Sequence, residues 1–145
     1  MDKGQVEILL VEDNPGDVLL TKTAFEQAKI SHNISAVEDG EQALDYLNKR
    51  DGYENATRPD LILLDLNMPK KDGREVLAEI KKDENLKRIP VIVLTSSQAE
   101  QDVSKSYDLH ANSYISKPVD LKKFSEIISA IESFWFSVSV LPPKE

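Results

Sequence analysis

Short runs of aliphatic residues alternate along this chain with stretches whose apolar positions return every three or four residues. The first run, Val6 to Val11 through Ile8, Leu9 and Leu10, stops at Glu12-Asp13. Asn14-Pro15-Gly16-Asp17 follows, with a good N-cap residue, a proline at the first helical position and an acid in the first turn. Val18, Leu20, Ala24, Phe25 and Ala28 continue at helical spacing and predict a helix to about Lys29. A weaker strand pattern spans Asn33 to Val37, and Glu38-Asp39-Gly40 leads to a helical set at Ala43, Leu44 and Leu47. The polar connection from Lys49 to Pro59 is longer than usual and reads as an exposed contact loop or a tolerated insertion.

The second half repeats the alternation. Leu61 to Leu64 is a fully apolar run that ends in Asp65, and Met68-Pro69 and Asp72-Gly73 turn the chain away. Val76, Leu77, Ile80 and Leu86 predict a third helix, closed by Ile89-Pro90. Val91 to Leu94 is a fourth strand ending in Thr95-Ser96-Ser97, and a lightly packed fourth helix spans about Ala99 to Leu109. Asn112 to Ser116 is a short fifth strand before Lys117-Pro118. From about Asp120, Leu121, Phe124, Ile127, Ile128, Ile131, Phe134 and Trp135 form the cleanest helical stripe in the chain.

Five strand-helix units predict an α/β fold: a doubly wound parallel sheet with right-handed crossovers, five strands and five helices. The flavodoxin-like strand order 2-1-3-4-5 is the expected arrangement, and such sheets bind ligands beyond the C-terminal strand ends. One domain over 1–145 is expected, with its core over about 6–136 and a short tail over 137–145. Composition narrows the setting. A net charge of −8 opposes association with nucleic acid or anionic membranes. No stretch approaches the ~18 apolar residues of a membrane span, and no secretory signal is evident at the N-terminus. Cysteine is absent, so thiolate metal sites are excluded, and a reducing, cytoplasmic setting is expected.

The chemistry gathers at strand ends. With the first and third strands adjacent, Glu12, Asp13 and Asp65 meet at one mouth and repel one another. A hard divalent cation relieves that repulsion; Mg²⁺ takes oxygen ligands and keeps places for water and phosphate. The Asn67 carbonyl is placed to add a further oxygen, Thr95 brings a hydroxyl donor and Lys117 a cation. These roles fit phosphoryl transfer to Asp65 as carboxylate nucleophile, with Mg²⁺ and Lys117 neutralising the phosphoryl oxygens and Thr95 donating to one of them.

Glu12-Asp13, Asp65 with Met68-Pro69 and Asp72-Gly73, Thr95, and Lys117-Pro118 together resemble the receiver domain of two-component response regulators. The resemblance covers roughly Val6 to Phe136. It implies that Asp65 accepts phosphate from a sensor histidine kinase. It also implies that Glu12, Asp13, Asp65 and Asn67 hold Mg²⁺, that Lys117 contacts the phosphoryl group, and that Thr95 and Tyr114 form a switch. Ser96 stands where the family usually has Ala or Gly. The stretches Arg58 to Lys81, Leu86-Lys87-Arg88-Ile89-Pro90 and Glu132 to Trp135 are also similar to small stand-alone regulators that partner bacterial phytochromes, which implies a bilin photoreceptor kinase.

Rival readings are weaker. A Mg²⁺-dependent phosphatase with an aspartyl nucleophile would want an acid two residues after Asp65, where Asn67 stands. A role as a phosphorelay intermediate stays open. A nucleotide- or flavin-binding module would want a glycine-rich loop after the first strand, where Gly16 is isolated. The few residues after Phe136 are too short for a DNA-binding domain, so the expected output is protein contact without independent substrate turnover. Phe134-Trp135-Phe136 cannot all face one core at ~100° per residue. A homodimer through helix four, strand five and helix five, with this aromatic region, is therefore expected. His32 and His110 lack ligand partners at useful spacing and are expected on the surface or in loops.

Overall fold

The computed structural model describes residues 5–27, 31–66, 73–95 and 113–116, with positions 122 and 126; the side chains of 95 and 113–116 fall outside the description. Five strands, β1 (Val6–Val11), β2 (His32–Val37), β3 (Leu61–Asp65), β4 (Val91–Thr95) and β5 (Ser113–Ser116), form one sheet in the order β2-β1-β3-β4-β5. All neighbours run parallel. The helices described are α1 (Pro15–Gln27), α2 (Gly40–Leu47) and α3 (Gly73–Lys82). The segments expected as the fourth and fifth helices lie outside the described residues, except that Lys122 and Glu126 are helical and exposed.

β1, β3 and β4 are the interior strands, and their largely aliphatic runs reflect burial on both faces. Side chains alternate across the sheet. Leu9, Val11, Ile62 and Leu64 join Leu44, Leu47, Val76, Leu77 and Ile80 in one core. Ile8, Leu10, Leu61 and Leu63 join Ala24 and Phe25 in the other. α2 and α3 therefore cover one face and α1 the opposite one.

Local chemistry fixes the helix starts. The Asn14 side chain accepts from the amides of Gly16 and Asp17 at 2.8 and 3.1 Å, capping α1 as its sequence predicts. Asp39 does the same for α2, accepting from the Gln42 amide at 2.8 Å.

One expectation is corrected and two are refined. Leu86 is not part of the third helix: α3 ends at Lys82, and a series of turns carries Leu86 into the core. The Lys81 ammonium stabilises that ending by donating to the carbonyls of Lys87 and Ile89 at 3.2 and 3.4 Å. His32 is the first residue of β2, half-buried on the edge strand, with its ring 5.4 Å from that of Phe25. The connection from Lys49 to Pro59 is mostly exposed, and within it Tyr53 and Ala56 pack against the core, with the Tyr53 ring 5.5 Å from Tyr46.

Candidate acidic site at the strand ends

Register brings the acids together. Val11 pairs with Leu64, so the next residues, Glu12 and Asp65, leave adjacent strands at the same level. The Glu12 amide donates to the Val37 carbonyl at 3.0 Å and extends the β1 ladder one step beyond the strand. On the other side, Asp65 pairs with Leu94, and the Leu66 amide donates to the Leu94 carbonyl at 3.2 Å. Asp65 is thus held by the ladder to β4, one residue past the last β1 pair, while its side chain reaches the mouth of the sheet.

Oxygen atoms of Glu12, Asp13 and Asp65 all lie within 4.8 Å of one another. Glu12 and Asp65 are buried, at 2% and 3% exposure, whereas Asp13 is exposed. One Glu12 oxygen accepts from the Asn14 amide at 3.1 Å, which ties the acid to the first turn of α1. Like charges at this spacing raise the free energy of the fully ionised state, most for the two buried members. An all-carboxylate donor set, two-thirds buried and open on one side through Asp13, fits a hard divalent cation that keeps exchangeable positions.

The other predicted residues divide into two groups. Thr95 closes β4 and pairs with Ser116, one step beyond the Asp65–Leu94 pair, and Tyr114 lies in β5 opposite Val93. Both are therefore on strands that end at the same mouth. Asn67 and Lys117 lie outside the described residues, as do His110 and the aromatic run Phe134 to Phe136. Sequence reasoning missed the part played by Gly73. Its amide donates to the Leu66 carbonyl at 3.1 Å, so α3 begins against the end of β3.

A parallel sheet that delivers three carboxylates to one mouth defines an acidic-pocket α/β domain, and comparison identifies which kind. The response regulator receiver domain family matches residues 8–129, and the chain belongs to that family. It is 50% identical over 135 residues to response regulator Rcp1 of a Synechocystis species, covering 93% of this chain and 92% of that protein. A crystal structure of the phosphorylated cyanobacterial phytochrome response regulator RcpA is 52% identical, with a TM-score of 0.80, covering 96% of this chain and 99% of that one. The Mn²⁺-bound form of Rcp1 is 49% identical, with a TM-score of 0.78 and coverage of 95% and 99%. Among the described residues no helix is long and apolar enough to cross a membrane.

Proposed function

We propose that this chain is a stand-alone response regulator that accepts a phosphoryl group on Asp65 in a Mg²⁺-dependent reaction with a sensor histidine kinase. The observation that carries the reading is the cluster of Glu12, Asp13 and Asp65 oxygens within 4.8 Å at the ends of adjacent parallel strands. Asp65 is the acceptor because it ends the central strand of the sheet, with its neighbours Glu12 and Asp13 available to hold the cation. Mg²⁺ supplies charge neutralisation for the phosphoryl oxygens. Glu12 and Asp13 would hold it with Asp65, and the Asn67 carbonyl is assigned as a further ligand. A carboxylate nucleophile needs no general base to activate it. Thr95 donates to a phosphoryl oxygen, Lys117 neutralises another, and Tyr114 follows Thr95 as the switch.

The kinase is of the phytochrome type in this reading, supported by the similarity to the phytochrome regulators RcpA and Rcp1 over nearly the whole chain. The chain acts as one receiver domain with five helices, turns over no independent substrate and works in the cytoplasm. It signals by protein contact, including a homodimer through the fourth helix, β5, the fifth helix and the Phe134 to Phe136 region. Sedimentation with and without a phosphoryl analogue tests the dimer; a monomer at high concentration in both conditions rejects it.

The central test is covalent. Wild-type protein incubated with Mg²⁺ and a small acyl phosphate gains the mass of one phosphoryl group, and Asp65→Asn gains none. Equal mass gain in both proteins, or no gain in either while folded, rejects Asp65 as acceptor.

A further inference from the structure

The end of β3 is gripped from a direction that the sheet does not provide. Gly73, the first residue of α3, donates its amide to the Leu66 carbonyl at 3.1 Å, so the first turn of α3 rests on the strand tip. A Cβ built on Gly73 would overlap the carbonyl oxygen of Asp65. It would also lie 2.6 Å from the Cα of Leu66 and 3.1 Å from the carbonyl carbon of Asp65. All three are backbone atoms, so no side chain can rotate aside to make room. Backbone angle is not the reason for glycine here, since Gly52 is the only glycine with positive φ among the described residues. The requirement is for a bare Cα at close approach.

We propose that Gly73 is a positioning residue for the acceptor carboxylate: its missing side chain lets α3 seat directly on the Asp65 peptide and fixes where the strand end presents that carboxylate to Glu12 and Asp13. This rests on the reading of Asp65 as a metal-dependent phosphoryl acceptor. The ladder to Leu94 holds one side of the Asp65–Leu66 backbone, and Gly73 bears on it from the helix layer. A methyl at position 73 must push α3 and the strand tip apart. A displacement of about 1 Å at a reacting group costs on the order of 100-fold in rate.

The test compares wild type, Gly73→Ala, Asp65→Asn and Phe25→Leu, the last a core change at a buried ring on the opposite face of the sheet. Phosphoryl uptake from acyl phosphate is followed by intact mass over a Mg²⁺ series, and Mg²⁺ affinity is measured separately by calorimetry without a phosphoryl donor. Gly73→Ala is expected to weaken Mg²⁺ binding and to slow uptake at saturating Mg²⁺ by about 10- to 100-fold, while Phe25→Leu keeps wild-type metal affinity despite lower stability. Wild-type Mg²⁺ affinity and uptake in folded Gly73→Ala overturn the proposal and leave the acceptor reading intact. No uptake by wild type, with Asp65→Asn equally inert, removes the acceptor reading and this one with it. Should Gly73→Ala not fold, hydrogen exchange in wild type decides. Slower exchange of the Gly73 amide on adding Mg²⁺ supports the seating, and an unchanged rate overturns it.

Discussion

The Asp60 carboxylate accepts a hydrogen bond from the Glu7 amide at 2.9 Å, while the Asp60 amide donates to the Glu7 carbonyl at 2.6 Å. One residue just before β3 thus satisfies both backbone groups of Glu7 on β1, and its side chain is 94% shielded because exposure is 6%. The pair joins β1 to the start of β3 at the end opposite the acidic site. Asp60→Ala leaves the Glu7 amide without this acceptor and is expected to cost about 1–3 kcal/mol. Urea denaturation checks it, and an unchanged midpoint contradicts the assignment.

Neutralising one acid should separate repulsion from metal binding. Asp13→Asn is expected to raise metal-free stability by about 1 kcal/mol, because it removes one of three mutually repelling charges. In wild type, Mg²⁺ at one hundred times its Kd should add about 2.7 kcal/mol of stability. The variant should lose most of that gain, so thermal melts with and without Mg²⁺ cross over between the two proteins.

Asn14 serves two structures at once. Its side chain caps α1, and its own amide donates to Glu12. Asn14→Ala is expected to cost about 1 kcal/mol through the lost cap, and Asn14→Ser to restore most of it. Fraying of the first turn also frees the donor to Glu12, so Mg²⁺ affinity should fall in Asn14→Ala and recover in Asn14→Ser, as calorimetry can measure.

Burial lowers the Lys81 pKa below its ordinary 10.5. Its ammonium therefore releases a proton at lower pH in the folded protein than in the unfolded chain. Between the lowered value and 10.5 the unfolded chain binds more protons, so this group makes stability rise with pH through that window. Lys81→Met cannot titrate. Chemical denaturation across the window should show wild type gaining on the variant as pH rises; a constant gap contradicts the shift.

Lys49 and Asp51 hold left-handed backbone angles, with φ of 56° and 54°. Asp tolerates that region better than Lys, whose side chain gives no local hydrogen bond in return. Lys49→Gly is expected to stabilise the fold by about 0.5–1 kcal/mol, read as a higher urea midpoint.

Much of this was legible in sequence because the strands are buried on both faces. Leu61 to Leu64 and Val6 to Val11 could scarcely be read otherwise, and the acids at their ends pointed to the mouth before any register was known. The family resemblance rested on those same tips, and the family match bears it out. Features set by contact between distant segments were not legible. Leu86 keeps helical spacing with Ile80 only roughly, and the turns closed by Lys81 decide its place. Nothing near Asp60 in sequence announces Glu7 as its partner. The ring contact of His32 was not legible because its neighbour, Phe25, lies across a helix-to-strand connection. Gly73 read as a turn residue, and only the strand tip beneath it reveals why no side chain fits.

The two cores on either side of β1 and β3 also set limits on changes of length. Leu61 and Leu63 face one core, Ile62 and Leu64 the other, and Asp65 follows in phase with Leu63. Deleting one of these four leucine or isoleucine residues would leave an aliphatic run that still looks like a strand, yet it would send the carboxylate to the wrong side of the sheet. Substitution among aliphatics is tolerated there, whereas a shift of frame along the strand is not. Insertions and deletions are thereby confined to the connections, such as Lys49 to Pro59, where added or lost residues leave the parity of the interior strands untouched.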